Sequence, residues 1–255
     1  MRLLVTNDDG VHSNGILAVK NALASLGEVI VVAPERPRSA SGHAITLHKP
    51  LRLTHAKMAD GSPAWSSNGT PADCVTLGVL EVMNGEVDLV ISGINHGPNL
   101  GWDVHYSGTV SAAFEAIMIG YPAIAVSVTS WDSEINWAGA AQMTALLAGW
   151  LTKNPHDPHL LLNVNAPNVP VSELRGVEVT TLGSRQYVDR VVKRTDPVGH
   201  DYFWLGGSLL DHEAKPGSDV RAVSDGKISI TPLQLDLSAT NLIAGLKDIE
   251  GLWPR

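Results

Sequence analysis

The chain has 255 residues, 44% hydrophobic and 17% charged, the balance of a globular protein whose core is large enough to need no staples. With 18 Lys and Arg against 26 Asp and Glu, its formal net charge of -8 argues against a diffuse grip on nucleic acid, which needs clustered positive charge. One cysteine, Cys74, excludes an intrachain disulfide and a thiolate zinc cluster, and no apolar run reaches the ~20 residues of a membrane span or forms a signal segment, so a cytoplasmic protein off the membrane is expected.

Leu3-Leu4-Val5 is an apolar run with no polar face, the pattern of a strand covered on both sides. Ser13 or Asn14 caps a helix whose apolar positions Ile16, Val19, Leu23 and Leu26 recur at helical spacing, with Gly27 as its stop. Residues 29–32 form a second strand closed by Pro34. A βαβ unit in little more than thirty residues predicts a parallel sheet. The pattern loosens over residues 35–68, where 45–54 reads as a strand or ribbon. Thr70-Pro71-Ala72-Asp73 then supplies a capping hydroxyl, a proline at the first helical position and an acid in the first turn.

Residues 87–92 are a further buried strand, followed by a Gly- and Asn-rich loop to Gly108 with no regular structure of its own. A helix from about Thr109, a strand over 123–128, a helix over 134–151 and a core strand over 160–164 complete the alternation. From about Gly183 aromatic and β-branched residues interleave with charges, and 187–193 with 202–205 predict a projecting hairpin. Residues 219–231 read as a strand pair about Asp225-Gly226, and 237–249 as a closing helix. The expected fold is one α/β domain, a three-layer sandwich on a mostly parallel sheet. Its core spans 1–182, a β arm 183–236 and a C-terminal helix 237–255.

Ligands of open α/β sheets bind beyond the carboxyl ends of the strands, and three polar loops fall there. Asn7-Asp8-Asp9-Gly10 follows the first strand. All four residues favour turns, yet paired carboxylates ending an apolar strand are costly unless something binds them. Residues 34–42 follow the second strand and carry Ser39 and Ser41, hydroxyls acceptable to a hard cation. Residues 92–101, with Asn95 and Asn99, lead into Tyr106-Ser107-Gly108-Thr109, where a helix start favours an anion. Oxygen-only ligands point to one Mg2+ or Mn2+ rather than zinc. Two carboxylates roughly neutralise such an ion, so a phosphate needs the helix start at Gly108 and Thr109, with Ser107 and the Asn amides, as further partners.

These segments carry a resemblance. Asn7-Asp8-Asp9-Gly10, residues 34–41, Gly69-Thr70-Pro71-Ala72-Asp73-Cys74-Val75, Ser92-Gly93-Ile94-Asn95, Gly97-Pro98-Asn99-Leu100-Gly101 and Tyr106-Ser107-Gly108-Thr109-Val110 closely resemble, in order, the motifs of the SurE family of survival-protein phosphatases. The match covers the first half of the chain and is weaker later, chiefly at Ile230-Thr231-Pro232-Leu233. It implies a Rossmann-like core and divalent-metal-dependent hydrolysis of nucleoside 5′- or 3′-monophosphates. It also implies Asp8, Asp9, Ser39 and Asn95 as metal ligands; on the residues' own chemistry Asp8 and Asp9 are the candidate catalytic residues, able to position the attacking water. Similar proteins form dimers or tetramers through C-terminal elements, for which Tyr202-Phe203-Trp204 would serve.

The same segments admit other readings. His96 could be a general acid, a phosphate contact or a plain loop histidine, and His105 has a weaker case. Both stand at positions that vary in the family. Cys74 reads as a buried helix cysteine, and Ser107 as an anion contact rather than a covalent nucleophile. An NAD-dependent oxidoreductase requires Gly-x-Gly-x-x-Gly after the first strand, which Asn7-Asp8-Asp9-Gly10-Val11-His12 is not. A non-catalytic nucleotide or metal sensor using the same pocket, and a hydrolase of a different bond, are separated from a phosphatase only by turnover.

Overall fold

A computed structural model describes residues 1–39, 41–154, 157–184, 187–209 and 214–253. Parts of the expected serine loop, arm and C-terminal helix, at 40, 185–186, 210–213 and 254–255, lie outside the described residues. In chain order the elements are β1 (Arg2–Thr6), α1 (Asn14–Leu23), β2 (Glu28–Pro34), β3 (Leu53–Lys57), β4 (Pro63–Ser67), α2 (Pro71–Leu77), β5 (Leu89–His96), α3 (Gly108–Met118), β6 (Ala123–Val128), α4 (Ala138–Leu151), β7 (Leu161–Ala166), β8 (Val177–Val179), β9 (Tyr187–Thr195), β10 (Asp201–Leu209), α5 (Asp219–Ser224), β11 (Ile228–Leu233) and α6 (Thr240–Ile243).

Nine strands form one sheet in the order β3-β4-β2-β1-β5-β6-β7-β11-β8. From β4 to β7 neighbouring strands run parallel, while β3 and β11 join antiparallel to β4 and β7. Alternation along β1 explains the layers. Leu3 and Val5 join Ile16, Val19 and Leu23 of α1 and Ala140 and Leu147 of α4 in one core, while Leu4 joins Cys74 and Val75 of α2 and Val110 and Ala113 of α3 in the other. With both faces covered, the central strands are mainly apolar, and their polar side chains gather toward the carboxyl ends. A three-layer, Rossmann-like sandwich results, with the β9–β10 hairpin appended as a separate two-stranded sheet.

Several expectations need correction. Residues 219–231 are not a strand pair. Ser218 accepts the Arg221 N–H at 3.3 Å and caps α5, so Asp225-Gly226 is a helix exit, and only β11 is a strand. Because β11 and α5 pack into the main body, the projecting arm narrows from 183–236 to the hairpin itself. The closing helix over 237–249 is one turn, α6, followed by a 3-10 stretch at Ala244–Gly251. Its apolar residues Leu242, Ile243, Leu246 and Ile249 are all exposed, with no core to order a longer helix. Regular pairing near 45–54 starts only at Leu53 and partners β4, a short strand the apolar pattern does not reveal. The helix expected over 134–151 starts at Ala138, and α1 ends at Leu23, short of Gly27. The loop after residue 92 has more order than expected, since β5 continues through Asn95 to His96 and a 3-10 turn spans Gly101–His105.

Candidate active site

Asn7 shapes the first loop. Its Oδ1 accepts the Gly10 N–H at 3.1 Å, and its Nδ2 donates to the Gly10 carbonyl at 3.0 Å and to Ser13 Oγ at 2.8 Å. Gly10 has φ +94, a left-handed conformation that a side chain would oppose, and so the chain leaves β1 sharply. The second loop docks on this turn through Val11 N–H to the Pro34 carbonyl at 3.0 Å and Arg38 N–H to the Asp8 carbonyl at 2.7 Å.

Asp8 is only 5% exposed, and its Oδ1 accepts the Thr109 hydroxyl at 2.6 Å. Gly108 lies against the same carboxylate. A Cβ there would sit 2.9 Å from Asp8 Oδ2 and 3.0 Å from Ser41 Oγ, so a glycine is required for the close approach. Asp8, Ser41, Gly108 and Thr109 thus meet at the N-terminus of α3, whose cap is Ser107. The Ser107 Oγ accepts the Val110 N–H at 3.0 Å, which assigns that hydroxyl to the cap. Asp9 faces β5, where its Oδ2 accepts the His96 N–H at 3.1 Å. Beside His96, buried Asn95 donates from Nδ2 to the Gly97 carbonyl at 2.8 Å, leaving Oδ1 as the amide atom outside that bond.

The electrostatics follow from burial. Desolvation pushes the Asp8 pKa from 3.8 to about 6, with the Asp9 charge adding to the rise and the Thr109 hydrogen bond opposing it. Burial also raises Asp9, against the pull of the His96 N–H. Ser41 Oγ is buried without a hydrogen-bond partner. Among the described residues, no three His, Cys, Asp or Glu side chains converge as a metal group. A cation at Asp8 and Asp9 would complete its shell from hydroxyl, amide, main-chain or water oxygens, the donor set of a hard cation. Two raised carboxylates and an unpartnered hydroxyl are the local signs of a place where positive charge is wanted.

Not every expected residue joins this cluster. Ser39 lies exposed on the loop, two positions before Ser41. Asn99 is buried, but its Nδ2 is engaged with Ser127 Oγ at 2.8 Å, and its main chain is held by Asn163 and Asn165. That asparagine network was not anticipated, although two polar residues inside the apolar run of β7 signal it. His105 is exposed on the 3-10 turn. Cys74 is fully buried and its thiol is pushed well above the ordinary range by that burial, which removes it as a nucleophile.

A cleft of about 330 Å³ opens beside the carboxylates, lined by Asp9, Ser13, Asn14, His96, Ser133 and Trp137. His96 lies with its ring 6.3 Å from those of both Trp131 and Trp137, and its Nε2 has no partner. A cavity of about 560 Å³ lies elsewhere, between Val104, Phe114 and Leu233–Leu237, and is lined by none of the carboxylates of the site.

Asp8 thus meets the N-terminus of α3 and Asp9 meets β5 at the carboxyl edge of a parallel sheet, the place where ligands of open α/β sheets bind. Comparison with known proteins narrows this. The family model of survival protein SurE matches residues 3–189. The 5′-nucleotidase SurE of Heliobacterium modesticaldum is 47% identical over 251 residues, 97% of this chain and 91% of that protein. The 5′-nucleotidase SurE of Geotalea uraniireducens is 46% identical over 247 residues, 97% and 98% of the two chains. The crystal structure of the SurE protein from Aquifex aeolicus superposes with a TM-score of 0.85 at 39% identity, covering 98% of this chain and 100% of that one. The chain belongs to the SurE family.

Proposed function

We propose that this protein is a divalent-metal-dependent phosphatase that converts nucleoside 5′-monophosphates, and also 3′-monophosphates, to nucleoside and phosphate. The observation that carries the reading is Asp8, buried beside Asp9 and held by Thr109 at the start of α3, with Gly108 packed against the same carboxylate. Relatives covering nearly the whole chain and named 5′-nucleotidase support it.

In this reading Asp8, Asp9, Ser39 and Asn95 hold one Mg2+ or Mn2+ per subunit. When bound, the ion supplies charge neutralisation at the phosphate oxygens and Lewis acidity. The helix start at Gly108 and Thr109, with the dipole of α3, binds the phosphate, and Ser107 sets its direction by capping. Asn99 supports the site through the asparagine network. Asp8 and Asp9 orient the attacking water. Asp9 Oδ1 is the candidate proton acceptor, because Oδ2 is committed to the His96 N–H. The leaving nucleoside occupies the cleft along His96 and Trp137.

We extend the reading to a cytoplasmic homodimer or homotetramer assembled through the β9–β10 arm. In support, Tyr202, Phe203, Trp204 and Leu205 are exposed together, and no helix among the described residues is long and apolar enough to cross a membrane. Incubation with the eight common 5′- and 3′-ribonucleoside monophosphates, analysed by chromatography, tests the reaction. Nucleoside and phosphate in equal amounts are expected. Free base, or binding without product, would contradict the phosphatase and favour a different hydrolase or a nucleotide sensor.

A further inference from the structure

The serine loop between β2 and β3 has neither helix nor strand among its described residues, so hydrogen bonds across space fix its position. Upstream, Arg38 N–H reaches the Asp8 carbonyl at 2.7 Å, and Arg38 Nη2 reaches the Asn68 carbonyl at 2.7 Å. Downstream, Gly42 N–H reaches the Tyr106 carbonyl at 3.2 Å and Thr46 N–H reaches Asp73 Oδ1 at 3.0 Å. Between these anchors His43 Nε2 lies 2.9 Å from Glu115 Oε2 on α3, and the other Glu115 oxygen accepts the Thr76 hydroxyl of α2 at 3.0 Å.

We propose that the His43–Glu115 pair is a positioning device that holds the serine loop, and with it Ser41, against the carboxylates so that the cation binds tightly. The inference rests on the metal-site reading above. Its force comes from α3 acting as a common base. Through Thr109 it holds Asp8, and through Glu115, six residues along the same helix, it holds the loop that faces Asp8 across Gly108. The Glu115 side chain is 13% exposed, so loss of His43 leaves a mostly buried carboxylate short of a partner and the loop short of an anchor. The pair acts through the loop, since its hydrogen bonds run to one another and to Thr76. Groups one step removed from metal ligands commonly set affinity by holding those ligands in place.

The test is Mn2+ binding, followed by titration calorimetry on the full chain after chelation and desalting, with no nucleotide present. His43→Ala and Glu115→Ala are each expected to weaken Mn2+ binding by about tenfold. The double variant is expected to be no weaker than either single, because both remove one interaction. His43→Gln, which keeps a side-chain donor, is expected to recover most of the loss, separating positioning from general damage to the fold. Wild-type affinity in the two alanine variants, or strictly additive losses in the double, would overturn the inference while leaving the metal site standing. No Mn2+ binding by the wild-type chain would overturn the metal reading itself and take this inference with it.

Discussion

Asp8 is where the costs of this site concentrate. A carboxylate that is 5% exposed and adjacent to a second one is disfavoured in its charged form, and its pKa rises from 3.8 to about 6. A raised carboxylate pKa contributes stability that is complete below the unfolded value and is lost as pH climbs through the folded one. In metal-free protein Asp8 should therefore remove roughly 3 kcal/mol between about pH 4 and pH 7. Asp8→Asn should not show this loss. Thermal melts of both metal-free proteins across that range are expected to diverge as pH rises, with the variant ending more stable. Parallel curves would contradict the burial argument. The same substitution, and Asp9→Asn, should each cut phosphate release by at least about 100-fold with the circular dichroism spectrum unchanged. Near-normal turnover by either variant would remove that aspartate from the mechanism.

At the scale of elements, the N-terminus of α3 does two jobs. It is capped by Ser107 and it faces Asp8 without an intervening side chain. Gly108→Val should raise KM and lower kcat together, because a branched side chain cannot fit where even a Cβ lies 2.9 Å from Asp8 Oδ2. Unchanged kinetics would argue against a phosphate cradle there. The capping box at α2, where Thr70 Oγ1 accepts the Asp73 N–H at 3.1 Å and Asp73 Oδ2 accepts the Thr70 N–H at 2.8 Å, lies outside the site. Thr70→Ala should cost about 1 kcal/mol in denaturant melts without altering KM.

These two helix starts also show what a sequence discloses. Capping residues act over three or four positions, so Ser13, Thr70 and the start of α3 were legible directly. Asp8 and Asp9 were legible because charge at the end of an apolar strand has no structural excuse. The α5 start was missed because Asp225-Gly226 fits both a hairpin turn and a helix exit, and only the pairing of β11 with β7 decides between them. The asparagine network and the Glu115 contact were illegible for a related reason, since each depends on segments tens of residues apart in the chain. The terminal segment kept an apolar pattern yet formed only a short helix, as amphipathic residues need a surface to pack upon.

For the whole molecule, the sheet brings three loops to one edge, and the appended hairpin leaves a cluster of apolar side chains in solvent. If the arm assembles the protein, the wild-type chain should run as a dimer or tetramer in analytical ultracentrifugation, and Trp204→Glu with Leu205→Lys should shift it toward monomer. A wild-type monomer would contradict that proposal without touching the active site. Metal-dependent phosphate release by the Asp8–Asp9 site is decided by a chelation experiment. Phosphate release from 5′-nucleotides is followed in excess EDTA, then after Mn2+ or Mg2+ is restored, for the wild type beside Asp8→Asn. No release is expected in chelator, with recovery in the wild type on adding metal and none in the variant. Equal release with and without chelator, or full recovery by Asp8→Asn, would contradict metal-dependent release by this site.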